Sequence, residues 1–455
     1  MNEYDVIVVG GGPGGSVAAK VAAEKGLKVI MFERGRKSGE KNSSGCGLGP
    51  RMWRDFPEMM KELTPDKVPS MRPGGAARCY FVNKDGVVSG YVMSRPTESV
   101  TYEPAKSFIT MNVYRSDFDP WIAEFATRAG AVLKTSTLVV NLIKDKGKVI
   151  GVQDEKGEKY KAPVIIGADG AISMVAKKSG LRHKWEQDQI TVVPQYDFSA
   201  DPKKIDDVMG DEALAVWWSA VFPAAYQVFF RDGFHIGLGN WLTWWDKNPL
   251  YYLNKCVNLK YFQRIMKLID AKPRELQAHL LPWMSYPVNT HTDNVILIGD
   301  AAGFPCPLEA EGIYPAMVTG KIAAEVAVKR IAEGDTSKKA LALYDEEWKK
   351  TSIGDEFESG AELAGIWRKL PFTPKTMEWF IPMWMELLGG IYDWSEPHVV
   401  RVRQIIAKIQ SYQSEFVPFA MKYVMPLLAE VLKDDIDSLK NMNDLIQKML
   451  PKKKK

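Results

Sequence analysis

Three glycines, Gly10, Gly12 and Gly15, stand in the pattern G-x-G-x-x-G within the run Gly10-Gly11-Gly12-Pro13-Gly14-Gly15. The run follows a continuous apolar stretch, Tyr4 to Val9, and opens one of helical pattern, Val17 to Glu24. In that setting each glycine has a task. Gly10 allows a tight turn, Gly12 lets backbone approach a pyrophosphate, and Gly15 lets the helix pack closely on the strand. The first helical amides then face the negative charge. Roughly 20 residues on, Glu33 closes the next apolar strand, Lys28 to Phe32, where a carboxylate can accept from both hydroxyls of a ribose. The chemistry implied is dinucleotide binding, and this unit alone does not decide which dinucleotide.

Two further segments bear on that choice. Val164-Ile165-Ile166-Gly167-Ala168-Asp169-Gly170-Ala171 ends a strand in a turn, and Gly299-Asp300-Ala301-Ala302-Gly303 ends another and runs into a helix opened by Gly312 and Ile313. Asp300 is placed to accept from a sugar-alcohol hydroxyl, and the amides after it can meet the edge of a planar ring. With Arg115 in RSDFDPWI, these loops resemble the FAD-dependent reductases and hydroxylases that include aromatic hydroxylases and geranylgeranyl reductases. The resemblance covers roughly residues 1–335 and rests on three motifs in the right order. It implies FAD, held by Gly10, Gly12, Pro13, Gly14, Gly15, Glu33 and Arg34, by Arg115, Asp169 and Gly170, and by Gly299, Asp300, Gly303, Gly312 and Ile313.

Within that family, Gly299 to Ala324, with its Pro-Leu pair and Glu311-Gly312-Ile313-Tyr314, resembles the geranylgeranyl reductase version. Cys46-Gly47-Leu48-Gly49-Pro50-Arg51-Met52 resembles the Cys-Gly loop that those enzymes place near the flavin. It makes Cys46 and Gly47 candidate catalytic positions that also touch the cofactor. His235 to Gly239 resembles the end of their substrate signature, Tyr-x-Trp-x-Phe-Pro followed by a strand. Tyr226 is the candidate tyrosine, although Tyr226 to Phe230 lacks the Trp and Pro, and Trp217-Trp218 with Phe222-Pro223 lie upstream. Gly39-Glu40-Lys41-Asn42 also resembles the electron-transfer-flavoprotein:quinone oxidoreductases, whose iron–sulfur module would here be a separate partner.

What this implies is a reduced flavin delivering hydride to one alkene carbon of a polyprenyl chain while an acid protonates the other. An apolar pocket would shield the cationic character that develops. Cys46 is a candidate for that acid or for positioning, since a thiol of ordinary pKa near 8.5 is a weak acid for the task. Electron transfer to a membrane quinone is the alternative, and monooxygenation a third. Cys306 between two prolines reads as structural. Glu309 and Glu311 read as complements to a helix N-terminus, with a flavin-edge or proton-relay role as the alternative. No second glycine motif of this kind serves a nicotinamide, so NAD(P)H, a ferredoxin or an electron-transfer flavoprotein would donate transiently.

The elements that must position these residues follow from hydrophobic pattern. The fold class is α/β, α+β overall. A Rossmann-like FAD-binding domain at 1–75, 110–190 and 290–335 is interleaved with a β-sheet substrate domain at 76–109 and 191–289. A helical region follows at 336–455. A short helix is expected within Arg51 to Leu63 and another over Asp117 to Ala129. Leu138 to Val152 and Lys159 to Gly167 read as strands returning to the dinucleotide sheet. Ile190 to Gly239 is strand-like with a turn at Asp232-Gly233.

Composition bounds the rest. The 455 residues exceed one simple core. Sixty basic against 56 acidic residues, net +4, with no basic stripe among stacking aromatics, do not suggest nucleic acid. Four cysteines, at 46, 79, 256 and 306, lack metal or disulfide spacing, and the five histidines form no ligand constellation. The start reads as a strand rather than a signal peptide, and Trp379 to Tyr392, broken by Pro382, is too short to span a bilayer. The expected location is cytoplasmic, peripheral on the inner face of the membrane. The 14 Trp and 20 Met, many after residue 215, suit either a core of large side chains or a greasy surface or tunnel. The Lys452–Lys455 tail suits a solvated end or an anionic membrane.

Overall fold

The computed structural model describes residues 2–40, 47–94, 110–283, 287, 289–307, 310–358, 373–392, 398–426 and 429. Two compact units emerge: residues 1–78, 92–216 and 225–364, and residues 79–91, 217–224 and 365–455.

The first unit is built on a six-stranded sheet ordered His291–Thr292, Val295–Leu297, Val164–Gly167, Val6–Val9, Val29–Phe32, Val132–Lys134. All neighbours are parallel except the first pair. The inner strands, VIVV, VIIG, VIMF and VIL, are buried at every position, as a sheet covered on both faces requires. Helix Pro13–Glu24 crosses helix Ile313–Ala332 at glycines. A Cβ on Gly14 would lie 2.6 Å from the Ala316 carbonyl oxygen, and one on Gly320 2.3 Å from that of Gly14. Larger residues would push the two helices apart.

Two expectations need correction. The hairpin Val139–Asp145 and Lys148–Asp154 does not return to the dinucleotide sheet. It pairs with Lys159–Lys161 and Asn2–Glu3 in a separate four-stranded sheet, and only Val164–Gly167 rejoins the first. The reason is its mixed burial: Val139–Asp145 has exposed positions that a sheet covered on both faces could not accept. The span 190–239 is also not all strand. Asp201 caps and Pro202 opens a helix, Pro202–Met209, with the Asp201 side chain accepting from Lys204 N.

A small sheet, Gly47–Leu48, Thr110–Asn112 and Arg72–Gly74, holds the strand that carries Gly47. The largest sheet runs Asn240–Trp241, Ile190–Ser199, Gly233–Leu238, Ala225–Phe230, and Lys272–Pro282 pairs along the other edge of Ile190–Ser199. The Asn112 amide ties the two sheets, donating to the carbonyls of Ala213 and Phe229 at 2.7 and 2.9 Å. Strand alternation gives the large sheet two unlike faces. Phe198 and Phe234 stack at 4.8 Å on the face covered by Phe262 of helix Lys260–Leu268. Gln195, Asp197, Tyr226 and His235 share the opposite face.

In the second unit, Cys79, Phe81, Ala220, Met377 and Ile381 form a small apolar cluster. Helices Pro374–Tyr392 and His398–Phe419 meet where Trp379 stands edge-on to Phe416 and Phe419, at 5.8 and 5.1 Å. Among the described residues no helix is long and apolar enough to cross a membrane.

Candidate active site

The glycine loop is shaped as its spacing predicts. Gly10 has φ +111°, and a Cβ there would lie 2.2 Å from the Ala168 carbonyl oxygen, so the loop presses on the turn that carries Asp169. A Cβ on Gly15 would fall 2.0 Å from the Gly10 oxygen. Gly12 differs: φ is −75°, and the nearest atom to an added Cβ is the Arg115 guanidinium, 3.9 Å away. The space beside Gly12 is therefore open, next to a helix N-terminus and a cation. Arg115 itself is oriented by a bidentate pair with the fully buried Asp119, at 2.5 and 2.6 Å.

Glu33 is buried at the end of its strand, and its two oxygens accept from Gly11 N and Gly35 N, at 3.1 and 2.7 Å. These contacts fix the carboxylate and use only part of its acceptor capacity. Ser38, which the sequence did not single out, adds a buried hydroxyl with no partner among the described residues, 2.9 Å from the position of a Cβ on Gly11. Arg34 is exposed.

The second loop is braced internally. The Asp169 carboxylate accepts from the Ser173 hydroxyl and from Val175 N, at 2.5 and 3.0 Å, anchoring helix Met174–Ser179, while Gly170 takes φ +76°. The third loop, Gly299–Ala301, uses positive φ at Gly299 and Gly303. A clip unnoticed in the sequence joins them. Trp185 donates to the Ala171 oxygen at 2.7 Å, Arg182 donates to the Ala301 oxygen at 2.7 Å, and the guanidinium stacks 3.6 Å over the indole. Among the described residues, no other side chain donates a hydrogen bond to Asp300. Burial pushes its carboxyl up to about 6, with Arg115 opposing the rise and Glu311 adding to it. Gly312 precedes helix Ile313–Ala332, and a Cβ on it would come 3.2 Å from the Asp300 carboxylate.

Cys46, Lys41 and Asn42 lie outside the described residues, as does Glu309; Gly47 is in place beside Thr110. The helix that follows, Arg51–Asp55, is latched to the Glu311–Tyr314 turn. Arg51 donates to Glu311 at 2.8 Å and to Glu356, and its guanidinium sits 4.1 Å over the Tyr314 ring. The Tyr314 hydroxyl donates to Asp55 and lies 2.9 Å from the Ser352 hydroxyl. Glu311 also accepts from Tyr314 N at 2.8 Å, so it caps the helix. The Glu-Gly-Ile-Tyr segment is thus a latch. Cys306 is buried, and its amide donates to the Glu311 carbonyl at 2.8 Å.

On the polar face of the large sheet, the Tyr226 hydroxyl donates to Gln195 at 3.3 Å, and the Gln195 amide donates to Asp197 at 3.1 Å. Tyr226 lies over Gly237, where a Cβ would be 2.5 Å from its hydroxyl. His235 Nδ1 is 3.7 Å from Asp197, while Nε2 is buried and unpartnered. Burial drives His235 down to about 3 and Asp197 up to about 6, the latter reinforced by Glu275 and opposed by Arg274. His279 is pushed to about 4 by burial and by the charges of Arg115 and Arg34. Among the described residues no cluster of His, Cys, Asp or Glu could hold a metal.

The open cradle at Gly12, the unpartnered Ser38 hydroxyl and the uncommitted Asp300 carboxylate together fit an elongated, anionic, hydroxyl-rich cofactor. Residues 3–351 match the FAD binding domain family. The chain is 30% identical over 358 residues to the digeranylgeranylglycerophospholipid reductase of Methanocaldococcus jannaschii, covering 76% of this chain and 82% of that protein. It is 30% identical over 380 residues to the one of Methanothrix thermoacetophila, covering 80% and 88%. Among solved structures, a geranylgeranyl bacteriochlorophyll reductase-like protein from Thermoplasma acidophilum superposes with TM-score 0.70 at 22% identity, over 95% of this chain and 99% of that one. The flavin-dependent brominase Bmp2 shares the fold at TM-score 0.63 and 19% identity, over 90% and 100%. FAD is the cofactor, and the chain belongs to the geranylgeranyl reductase family of FAD-dependent oxidoreductases.

Proposed function

We propose that this enzyme saturates carbon–carbon double bonds of a polyprenyl chain carried by a lipid or quinone. The observation that carries the reading is the likeness, across most of both chains, to reductases named for a digeranylgeranyl glycerophospholipid. Reduced FAD supplies the hydride that such a saturation needs. The protein's residues do the rest. Gly12, Arg115 and the helix N-terminus bind the pyrophosphate, Glu33 the ribose, and Asp300 a ribityl hydroxyl, while the amides opening at Gly312 and Ile313 meet the ring edge. Cys46 and Gly47 are assigned catalytic roles by the resemblance of their loop to that of the family, the thiol either donating the proton or positioning the alkene. Tyr226, oriented by Gln195, contributes to the substrate side from the large sheet. Excluding water there protects the cationic character that develops at the substituted alkene carbon.

Electrons come from a transient donor, NAD(P)H, a ferredoxin or an electron-transfer flavoprotein. The enzyme works peripherally at the inner face of the cell membrane. The test is anaerobic: dithionite-reduced enzyme is offered a geranylgeranyl lipid and, separately, a short-chain quinone. Flavin reoxidation by the lipid, with two hydrogens gained per saturated bond by mass spectrometry, supports the reading. Reoxidation by the quinone alone, with the prenyl chain unchanged, overturns it in favour of quinone electron transfer. In a companion arm, Cys46→Ser that slows turnover without changing the pH profile assigns Cys46 to positioning rather than proton donation.

A further inference from the structure

We propose that the outer edge of the large sheet docks on an anionic phospholipid bilayer, with Leu250, Tyr251 and Leu276 entering the interface and Lys247 and Lys255 meeting lipid phosphates. The inference rests on the reading that the substrate chain belongs to a membrane lipid. Between edge strand Lys272–Pro282 and helix Pro249–Val257 lies a crevice of about 350 Å³, lined chiefly by Val192, Pro194, Pro249, Leu250, Leu276 and Ala278. It opens on the face opposite Tyr226 and Gln195, because Leu276 pairs with Tyr196 and Gln277 with Gln195. Its two polar lining groups are already engaged. The Asn248 side chain accepts from Leu250 N at 2.9 Å, and the Gln277 amide donates to Glu275 at 2.8 Å. That leaves an apolar slot with little to orient a folded partner and much to accept a hydrocarbon chain.

At its mouth Leu276 is 45% exposed and Tyr251 40%. The Tyr251 ring is bracketed by the ammonium groups of Lys247 and Lys255, 4.5 and 4.9 Å from its centroid. A phenol flanked by lysines beside exposed leucine is the composition of a headgroup boundary, where Tyr and Lys anchor and aliphatic side chains go deeper. Charge agrees. Residues 246–275 hold seven Lys or Arg against three Asp or Glu, a net of +4. The whole chain is also +4, so the residues outside this segment, the Lys452–Lys455 tail included, sum to zero. Each such cation near an anionic leaflet adds attraction that salt screens.

The experiment is co-sedimentation of the full FAD-loaded chain with vesicles of phosphatidylcholine alone and of phosphatidylcholine mixed with phosphatidylglycerol. The mixed vesicles should bind more tightly, and added salt should weaken the binding. Lys247→Glu with Lys255→Glu should cut partitioning by about 30-fold or more, given roughly 1 kcal/mol per basic residue at the surface. Leu276→Asp should weaken it while leaving flavin content and Tm unchanged. Equal binding to both vesicle types overturns the proposal, as does unaltered partitioning of both variants in folded, yellow protein. Vesicle binding is read without turnover, so failure here leaves the reductase reading standing. Protein that binds vesicles yet never changes a prenyl chain defeats only that reading.

Discussion

Replacing Gly12 by alanine should separate cofactor binding from folding. The backbone at Gly12 has φ −75° and ψ −175°, a conformation open to any residue, and the added methyl meets nothing closer than the Arg115 guanidinium at 3.9 Å. The apoprotein should therefore keep its stability to within about 0.5 kcal/mol, or gain slightly from a less free unfolded chain. With the pyrophosphate bound beside Gly12 as proposed, the methyl would take the space that it needs. Losing charge-assisted hydrogen bonds of about 1.5–3 kcal/mol each weakens FAD by roughly 10-fold for one weak bond and 100-fold or more for two. The assay is thermal unfolding of stripped protein with and without FAD. At FAD 100 times the wild-type Kd, ligand linkage adds about 2.7 kcal/mol to the wild type, but only about 0.4 kcal/mol to a variant bound 100-fold more weakly. Gly10→Ala is the contrast. With φ +111° and a carbonyl oxygen 2.2 Å from the new Cβ, it should lower apoprotein Tm, through strain of about 1–3 kcal/mol and the overlap besides. An apoprotein Tm that falls as far for Gly12→Ala as for Gly10→Ala would refute the reasoning, and so would FAD binding unchanged by Gly12→Ala.

Three further outcomes are expected. Glu33→Ala frees the amides of Gly11 and Gly35 and removes the proposed ribose acceptor, so flavin should be lost on dialysis; full occupancy afterwards would count against that role. Asp300→Asn tests a titration. Burial raises this carboxyl to about 6 from 3.8, so between those values the folded apoprotein binds more protons than the unfolded chain and Asp300 costs stability as pH rises. The variant should gain on wild type by about 2–3 kcal/mol from pH 4 to pH 7 in urea unfolding without FAD; a constant difference contradicts this. Arg51→Met cuts the latch to Glu311 and Glu356, and should destabilise by about 1–3 kcal/mol in denaturant unfolding. Combined with Glu311→Gln it should show non-additivity, which two unlinked residues would lack.

The geometry of the glycine loop was legible because its causes are local. Gly10 and Gly15 were identifiable from spacing because each has a backbone atom about 2 Å from its missing Cβ. The runs VIVV, VIMF and VIIG announce strands covered on both faces. What escaped depends on residues far apart in the chain. Gln195, Asp197 and His235 meet only because strand Gly233–Leu238 pairs with Ile190–Ser199 in a particular register. Arg51 reaches Glu311 and Glu356 across hundreds of residues, and Trp185 closes on a loop that begins at Gly299. The helix Pro202–Met209 was signalled by Asp201-Pro202, but the β pattern on either side concealed it. The Glu311 latch shows the opposite case: the motif was visible, while its task needed the partner residues.

The most direct measurement is the flavin content of the purified protein, read from its visible absorbance and from the cofactor released on unfolding. Purified protein should be yellow and carry close to one FAD per chain, or, when stripped, take up FAD to that ratio. Colourless protein that gains no flavin when FAD is supplied would contradict it.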